Sequence, residues 1–196
     1  MSAVSLTLLG GFELTLPPAV HVHLPTRKAQ ALLAYLALQP EQAQPRDKLA
    51  SLLWGDVADA QARASLRQTL SLLGKALEHA PVPCLVTEAR TVGVVAGAID
   101  VDVSRFEAAI AEGTPGGLEH AAHLYRGELI EGLVLDEAPF ESWLLSERER
   151  LRELAIEGLA KLLAHHQGAQ GSAERAIQTA AGCSRSTPAR KSFTAR

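Results

Sequence analysis

Between Ala62 and Leu77 the chain reads ARASLRQTLSLLGKAL, and two stripes run through it. Leu66, Leu70, Leu73 and Leu77 recur at i, i+4, i+7 and i+11, the apolar seam of an α-helix. At about 100° per residue, Arg63, Arg67, Ser71 and Lys75 form the neighbouring stripe, with Gln68 just beyond it. A face of guanidinium, ammonium, hydroxyl and amide is the donor set that reads a DNA major groove. Arginine suits guanine or phosphate, glutamine suits adenine, and serine suits either. The same face also fits an ordinary solvated helix surface, so the surroundings must decide between the two.

Other residue types offer less. His21 and His23 straddle one residue in an expected strand, and His165 and His166 adjoin near a helix end. Neither pair has a carboxylate or cysteine cluster at ligand spacing, so both read as surface histidines and no metal is expected. Glu128 and Glu131, beside Tyr125 and Arg126, read as helix-surface charge because nothing in the pattern implies the burial that acid–base chemistry requires. Gly10-Gly11 and Gly116-Gly117 lack the Lys-Ser/Thr that would follow in a phosphate loop. Neither a catalytic residue nor a cofactor is expected, and the chain reads as a non-enzyme.

The elements that would position the cationic stripe are legible. Val4–Leu16 alternates around Gly10-Gly11 and His21–Leu24 alternates again, which predicts short strands in a small antiparallel sheet. Thr26–Leu38 predicts a helix with Thr26 as its cap, burying Ala29, Leu32, Leu33, Leu36 and Ala37. Arg46–Trp54 predicts a second helix with Leu49, Leu52 and Leu53 inward and Gly55 as its stop. Asp56–Asp59 is the expected turn into the third helix, 62–77. Cys84–Val95 has apolar flanks around a polar centre, which predicts a hairpin with Arg90 at its tip. Sheet, three helices and hairpin in this order describe a winged helix. In that setting Arg90 would reach a phosphate, whereas outside it Arg90 is a solvated turn residue.

Past Ile99 the pattern becomes almost wholly helical. Helices are expected at 103–112 and 118–125, with the turn Gly113–Gly117 between them. A long helix is expected from about Pro139 to His166, a break at Gly168–Gly171, and a last helix capped by Ser172 and running to Ala181. Helix pairs joined by glycine turns are expected to pack in a tetratricopeptide-like manner, with an ordinary bundle as the alternative. The fold class expected is mainly α with small β elements: a winged helix over 1–98 and a helical domain over 99–181.

Charge is divided unevenly. The 196-residue chain is 47% hydrophobic and 21% charged, with a formal net charge of −3. Residues 26–75 carry seven basic and four acidic side chains, whereas residues 101–181 carry seven basic and fourteen acidic. A mildly basic surface beside an acidic body is compatible with DNA binding despite the negative total. Two distant cysteines, Cys84 and Cys183, match no metal spacing and suggest incidental thiols in a reducing cytoplasm. Neither a spanning apolar run nor a signal peptide is expected, so no membrane association is foreseen.

Several stretches together resemble the SARP type of bacterial transcriptional activator, an OmpR-type winged helix joined to a bacterial transcriptional activator domain (BTAD). They are LLGGFEL (8–14), LPTRKAQALLAYLAL (24–38), PRDKLASLLWGD (45–56) and ARASLRQTLSLLGKAL (62–77) in the first half. In the second half they are LYRGELIEGL (124–133) and FESWLLSERERLRELAIEGLAKLLAHH (140–166). The resemblance implies binding to double-stranded promoter DNA, often as a homodimer on direct repeats, and recruitment of RNA polymerase by a cytoplasmic, nucleoid-associated protein. It makes 62–77 the recognition helix, with Arg63, Ser65, Arg67, Gln68 and Ser71 toward DNA. Lys75, Arg90, Arg46 and Lys48 complete the set of DNA-facing candidates. Leu72 and Gly74 stand where such helices often carry basic residues, so specificity is expected to rest on Arg63 through Ser71.

The resemblance also implies a continuation like LLALDP after AIQTAA, where this chain has GCSRSTPARKSFTAR (182–196). A GC-rich encoding of that tail, read two nucleotides later, gives LLALDPGPEVLHRA. An out-of-frame tail on a truncated activator is therefore expected, with a natural basic tail as the alternative. Two functions stand at this point. One is a promoter-binding activator; the other is a tetratricopeptide-like interaction module, or a fragment of a larger sensor protein, without sequence-specific DNA binding.

Overall fold

The computed structural model describes residues 4–39 and 42–183, with side-chain surroundings as far as Gln167. Alternating apolar residues make the first three strands, β1 (Val4–Thr7), β2 (Glu13–Leu16) and β3 (Val20–Val22), an antiparallel meander. The turn between β1 and β2 uses Gly10 at φ +91°, a conformation open to glycine. A Cβ there would also meet Arg126 Cβ at 3.1 Å.

Three helices follow. α1 (Arg27–Ala37) starts where Thr26 Oγ1 accepts the Ala29 N–H at 3.2 Å, and it is buried almost all round. α2 (Arg46–Leu53) packs against α3 (Asp59–Ala76). Helix α3 begins three residues earlier than the apolar seam suggests, because Asp59 lies inside its first turn, where a carboxylate suits the helix dipole. The hairpin forms from β5 (Leu85–Thr87) and β6 (Thr91–Val94), with Arg90 beside its tip. A two-residue strand, β4 (Gln44–Pro45), pairs with β6 and ties the hairpin to the start of α2.

The helical half holds α4 (Asp102–Glu112), α5 (Pro115–Leu124) and α6 (Ala138–Cys183). Gly113 closes α4 at φ +67°, and Thr114 caps α5 by accepting the Gly117 N–H at 3.0 Å. Pro115 at the first helical position explains why α5 starts ahead of the expected Leu118. Two expectations are corrected here. Ile99–Val101 forms a strand, β7, which pairs parallel to β1 and gives the sheet order β3-β2-β1-β7. Three residues carry too short an alternation to be told from a helix start. Helix α6 also runs unbroken through Gly168–Gly171 to Cys183, so Ser172 stands inside a helix and not at the start of one. An interior glycine costs about 1 kcal/mol, which is insufficient to end a long helix without a proline. The tail expected to be out of frame lies outside the described residues, apart from Gly182 and Cys183 at the helix end.

The molecule is mainly α with two small sheets, as the patterning implies, and one core runs through both halves. Leu6, Leu32, Leu53 and Leu66 belong to the same buried cluster as Phe106, Phe140 and Leu144. Two buried carboxylates cross the junction. Asp102 accepts the Leu8 and Leu9 N–H groups, both at 2.9 Å. Glu137 accepts from Lys28 Nζ at 2.5 Å and from the Gly55 N–H at 3.0 Å.

Candidate nucleic-acid interface

Helix α3 is sorted by its own periodicity. Ala62, Leu66, Thr69, Leu70 and Leu73 are buried, which turns Arg63, Arg67, Gln68, Ser71 and Lys75 to solvent. Ser65 is half-buried, and its carbonyl accepts from Thr69 Oγ1 at 3.0 Å.

The first turns of α2 and α3 and the hairpin tip enclose a groove of about 300 Å³. Pro45, Arg46, Asp47, Arg63, Leu66, Arg67, Ala89 and Arg90 line it. Four arginines from three separate stretches therefore line one groove. Arg46 is locked in place, since its backbone N–H donates to the Arg90 carbonyl at 2.9 Å and its Nε donates to the Glu88 carbonyl at 3.0 Å. That pairing depends on β4, so the shortest strand of the molecule sets the hairpin against α2. Arg63 donates through Nε to Asp47 Oδ1 at 2.8 Å, with both side chains more than half exposed. Among the described residues, the Arg67 and Arg90 side chains make neither hydrogen bond nor ion pair.

The remaining candidates lie elsewhere. Lys48 Nζ donates to Gln44 Oε1 at 2.9 Å and sits 5.7 Å from the Tyr35 ring centroid, away from the groove lining. Gln68, Ser71 and Lys75 continue along the exposed face of α3 beyond the groove. Asp47, the partner of Arg63, is the residue that sequence reasoning missed. Its signal was its place between Arg46 and Lys48, one acid in the first turn of a helix whose other early charges are basic.

In the helical half, Arg148 and Arg150 are bound to the protein itself. Arg148 donates to the Leu129 and Ile130 carbonyls at 2.9 and 3.2 Å. Ile130 is fully buried at φ +48°, an uncommon conformation for a β-branched residue, and Arg148 holds it there. Arg150 pairs with Glu107 at 2.6 Å and with Glu147 at 2.8 Å. Burial alone would lower its pKa, but the two carboxylates outweigh that and raise it. Burial pushes the Asp102 carboxyl above its ordinary range, although the Leu9, Leu8 and Val103 N–H groups pull it part of the way back.

Among the described residues, no three His, Cys, Asp or Glu side chains gather as metal ligands. His21 Nδ1 lies 2.8 Å from Glu13 on an exposed sheet surface, and Glu128 lies 3.7 Å from Arg148. No described helix is long and apolar enough to cross a membrane.

Residues 101–196 match the family model described as the bacterial transcriptional activator domain. No curated protein matches the chain. Among solved structures, the chain is similar to Mycobacterium tuberculosis EmbR in complex with a low-affinity phosphopeptide. The TM-score is 0.69 at 22% identity, over 91% of this chain and 50% of that one. The chain thus spans half the length of that structure, and the likeness is one of fold. The domain match lies on residues 101–196, and the structural likeness is to a mainly α fold with small sheets.

Proposed function

We propose that the chain is a DNA-binding transcriptional regulator, an activator of the SARP type, acting in the cytoplasm on promoter DNA. Residues 1–98 form its winged-helix DNA-binding domain and residues 99–181 its helical activator domain. The observation that carries this reading is the convergence of Arg46, Arg63, Arg67 and Arg90 on one groove between α2, α3 and the hairpin. Helix α3 enters the major groove. Arg46 and Arg90 grip phosphates on either side, and Gln68, Ser71 and Lys75 extend the contact along the duplex. The helical half contacts RNA polymerase, and two copies bind direct repeats.

A salt series of duplex binding tests the reading. The wild-type chain should bind promoter fragments with affinity that falls steeply as salt rises. Arg67→Ala should flatten the logarithmic salt slope by about 0.9 if that arginine neutralises one phosphate. Binding indifferent to salt and to Arg67→Ala would end the proposal. Co-purification of RNA polymerase with the full chain tests the second half, and its failure would remove the polymerase contact from the proposal.

One observation favours a second reading, the interaction module. Leu145, Ile156, Leu159 and Leu163 are about half or more exposed and share one side of α6. The EmbR structure holds a phosphopeptide, and binding of a peptide by this chain with no affinity for DNA would favour that alternative.

A further inference from the structure

A carboxylate in a groove meant for phosphates calls for a reason. Asp47 lies in the lining beside Arg46, Arg63, Arg67 and Arg90, and its side chain is 75% exposed, so it would repel a DNA backbone. Its ion pair with Arg63 is equally open to water, and pairs of this kind contribute little to stability. Asp47 also stands in the first turn of α2, where an acid suits the helix dipole, but that advantage is available at positions outside the groove.

The atoms used in the pair are informative. Asp47 Oδ1 takes Nε of Arg63 at 2.8 Å. Nη1 and Nη2 of Arg63 make no hydrogen bond among the described residues, so the two-pronged end of the guanidinium is available. That end matches O6 and N7 of guanine in the major groove; it could also fork onto a phosphate, so the place of Arg63 on the helix decides between them. Arg63 is also the fifth residue of α3, in the N-terminal part of a recognition helix from which base edges are reached. An arginine side chain loses rotamer freedom on ordering, and a fixed Nε removes part of that loss before binding.

We infer that Asp47 is a specificity-determining residue: it holds Arg63 so that the arginine reads a guanine, while Arg46, Arg67 and Arg90 hold phosphates. The inference rests on the DNA-binding reading above and adds a division of labour within it. Asp47 acts as a positioning residue, lowering affinity for DNA in general and raising it for one base.

The test uses the full chain. A duplex is selected from a random pool by the wild type, and affinities for it and for a scrambled duplex are measured by fluorescence anisotropy at several salt concentrations. Asp47→Ala should reduce discrimination between the two by about tenfold or more. The selected duplex should bind more weakly, and the scrambled one as well as before or better. Asp47→Asn keeps an oxygen that can accept from Nε and should retain most of the discrimination. Asp47→Ala combined with Arg63→Ala should discriminate no worse than Arg63→Ala alone, because the two act as one unit. A helix-dipole role for Asp47 would move the thermal midpoint and leave discrimination unchanged, and that result would overturn the inference. So would an equal rise in affinity for both duplexes in Asp47→Ala, which would make Asp47 a mere counter-charge. A wild type that selects no sequence at all would overturn the DNA-binding reading, and this inference with it.

Discussion

Four arginines of the first half and three of the second stand in contrasting surroundings. In the first half, Arg46, Arg63, Arg67 and Arg90 line one open groove, with only Asp47 among them as a countercharge. In the second, Arg105 faces Asp100 at 3.4 Å, Arg148 binds two carbonyls, and Arg150 is held between Glu107 and Glu147. What differs is the supply of acceptors. Residues 101–181 carry twice as many acidic as basic side chains, and Arg105, Arg148 and Arg150 each find an oxygen within reach. Around α2 and α3 acidic side chains are fewer, and among the described residues Arg67 and Arg90 make neither hydrogen bond nor ion pair through their side chains. A net charge of −3 conceals this, because it averages a structural population of charges with an available one.

Exchanging signs in the two populations should break the comparison in two distinct ways. Arg63→Glu with Arg67→Glu should lower duplex affinity by about a hundredfold or more at low salt, since two attractive contacts become repulsive. Gel-shift titration reads this, and thermal unfolding of the same variant should be nearly unchanged because both side chains are exposed. Arg148→Ala should do the reverse. DNA affinity should hold, while urea denaturation should show a loss of about 1–3 kcal/mol as the Leu129 and Ile130 carbonyls lose a charged partner. A variant of Arg148 that lost DNA binding with stability intact would show that the division between halves is wrong.

The smallest expected effect concerns Asp102, one of the two carboxylates that join the halves. The folded Asp102 carboxyl titrates above its ordinary 3.8, so protonation favours the folded state. The stability it contributes is complete below the unfolded value and is lost as pH rises through the folded one. Asp102→Asn does not titrate. The stability of the wild type relative to that variant should therefore fall, by about 1 kcal/mol per unit of pKa shift, as pH is raised from below 3.8 toward neutrality. Urea midpoints of the two proteins across that range check the sign.

Much of this architecture was legible before any coordinate was known, and the parts that were not share a cause. The leucine seams of α1 and α3, the Thr26 cap and the apolar flanks of the hairpin are local patterns, and each produced the element it implied. β4 and β7 are two and three residues long, too short for alternation to register, and both exist because of partners distant in sequence. The continuity of α6 went unread because Gly168 and Gly171 look like punctuation. The convergence of arginines was half legible. Residue type named Arg46, Arg63, Arg67 and Arg90, yet it also named Lys48, which the packing turns to Gln44 and Tyr35. The pairing of Asp47 with Arg63, and of Asp102 with the N–H groups of Leu8 and Leu9, depends on how helices and strands meet, which no single stretch of chain encodes.

Strand β7 limits how this protein could be taken apart. A piece ending at residue 98 would keep the arginine groove but lose the neighbour of β1, baring Val4–Thr7 as an open sheet edge. The Leu8 and Leu9 N–H groups would lose Asp102 at the same time. Open edges recruit strands from other molecules, so such a piece would associate or precipitate. Grafting the half that carries the arginine groove onto another protein should succeed only with a cut beyond Asp102, so the two halves are poorly suited to exchange one at a time.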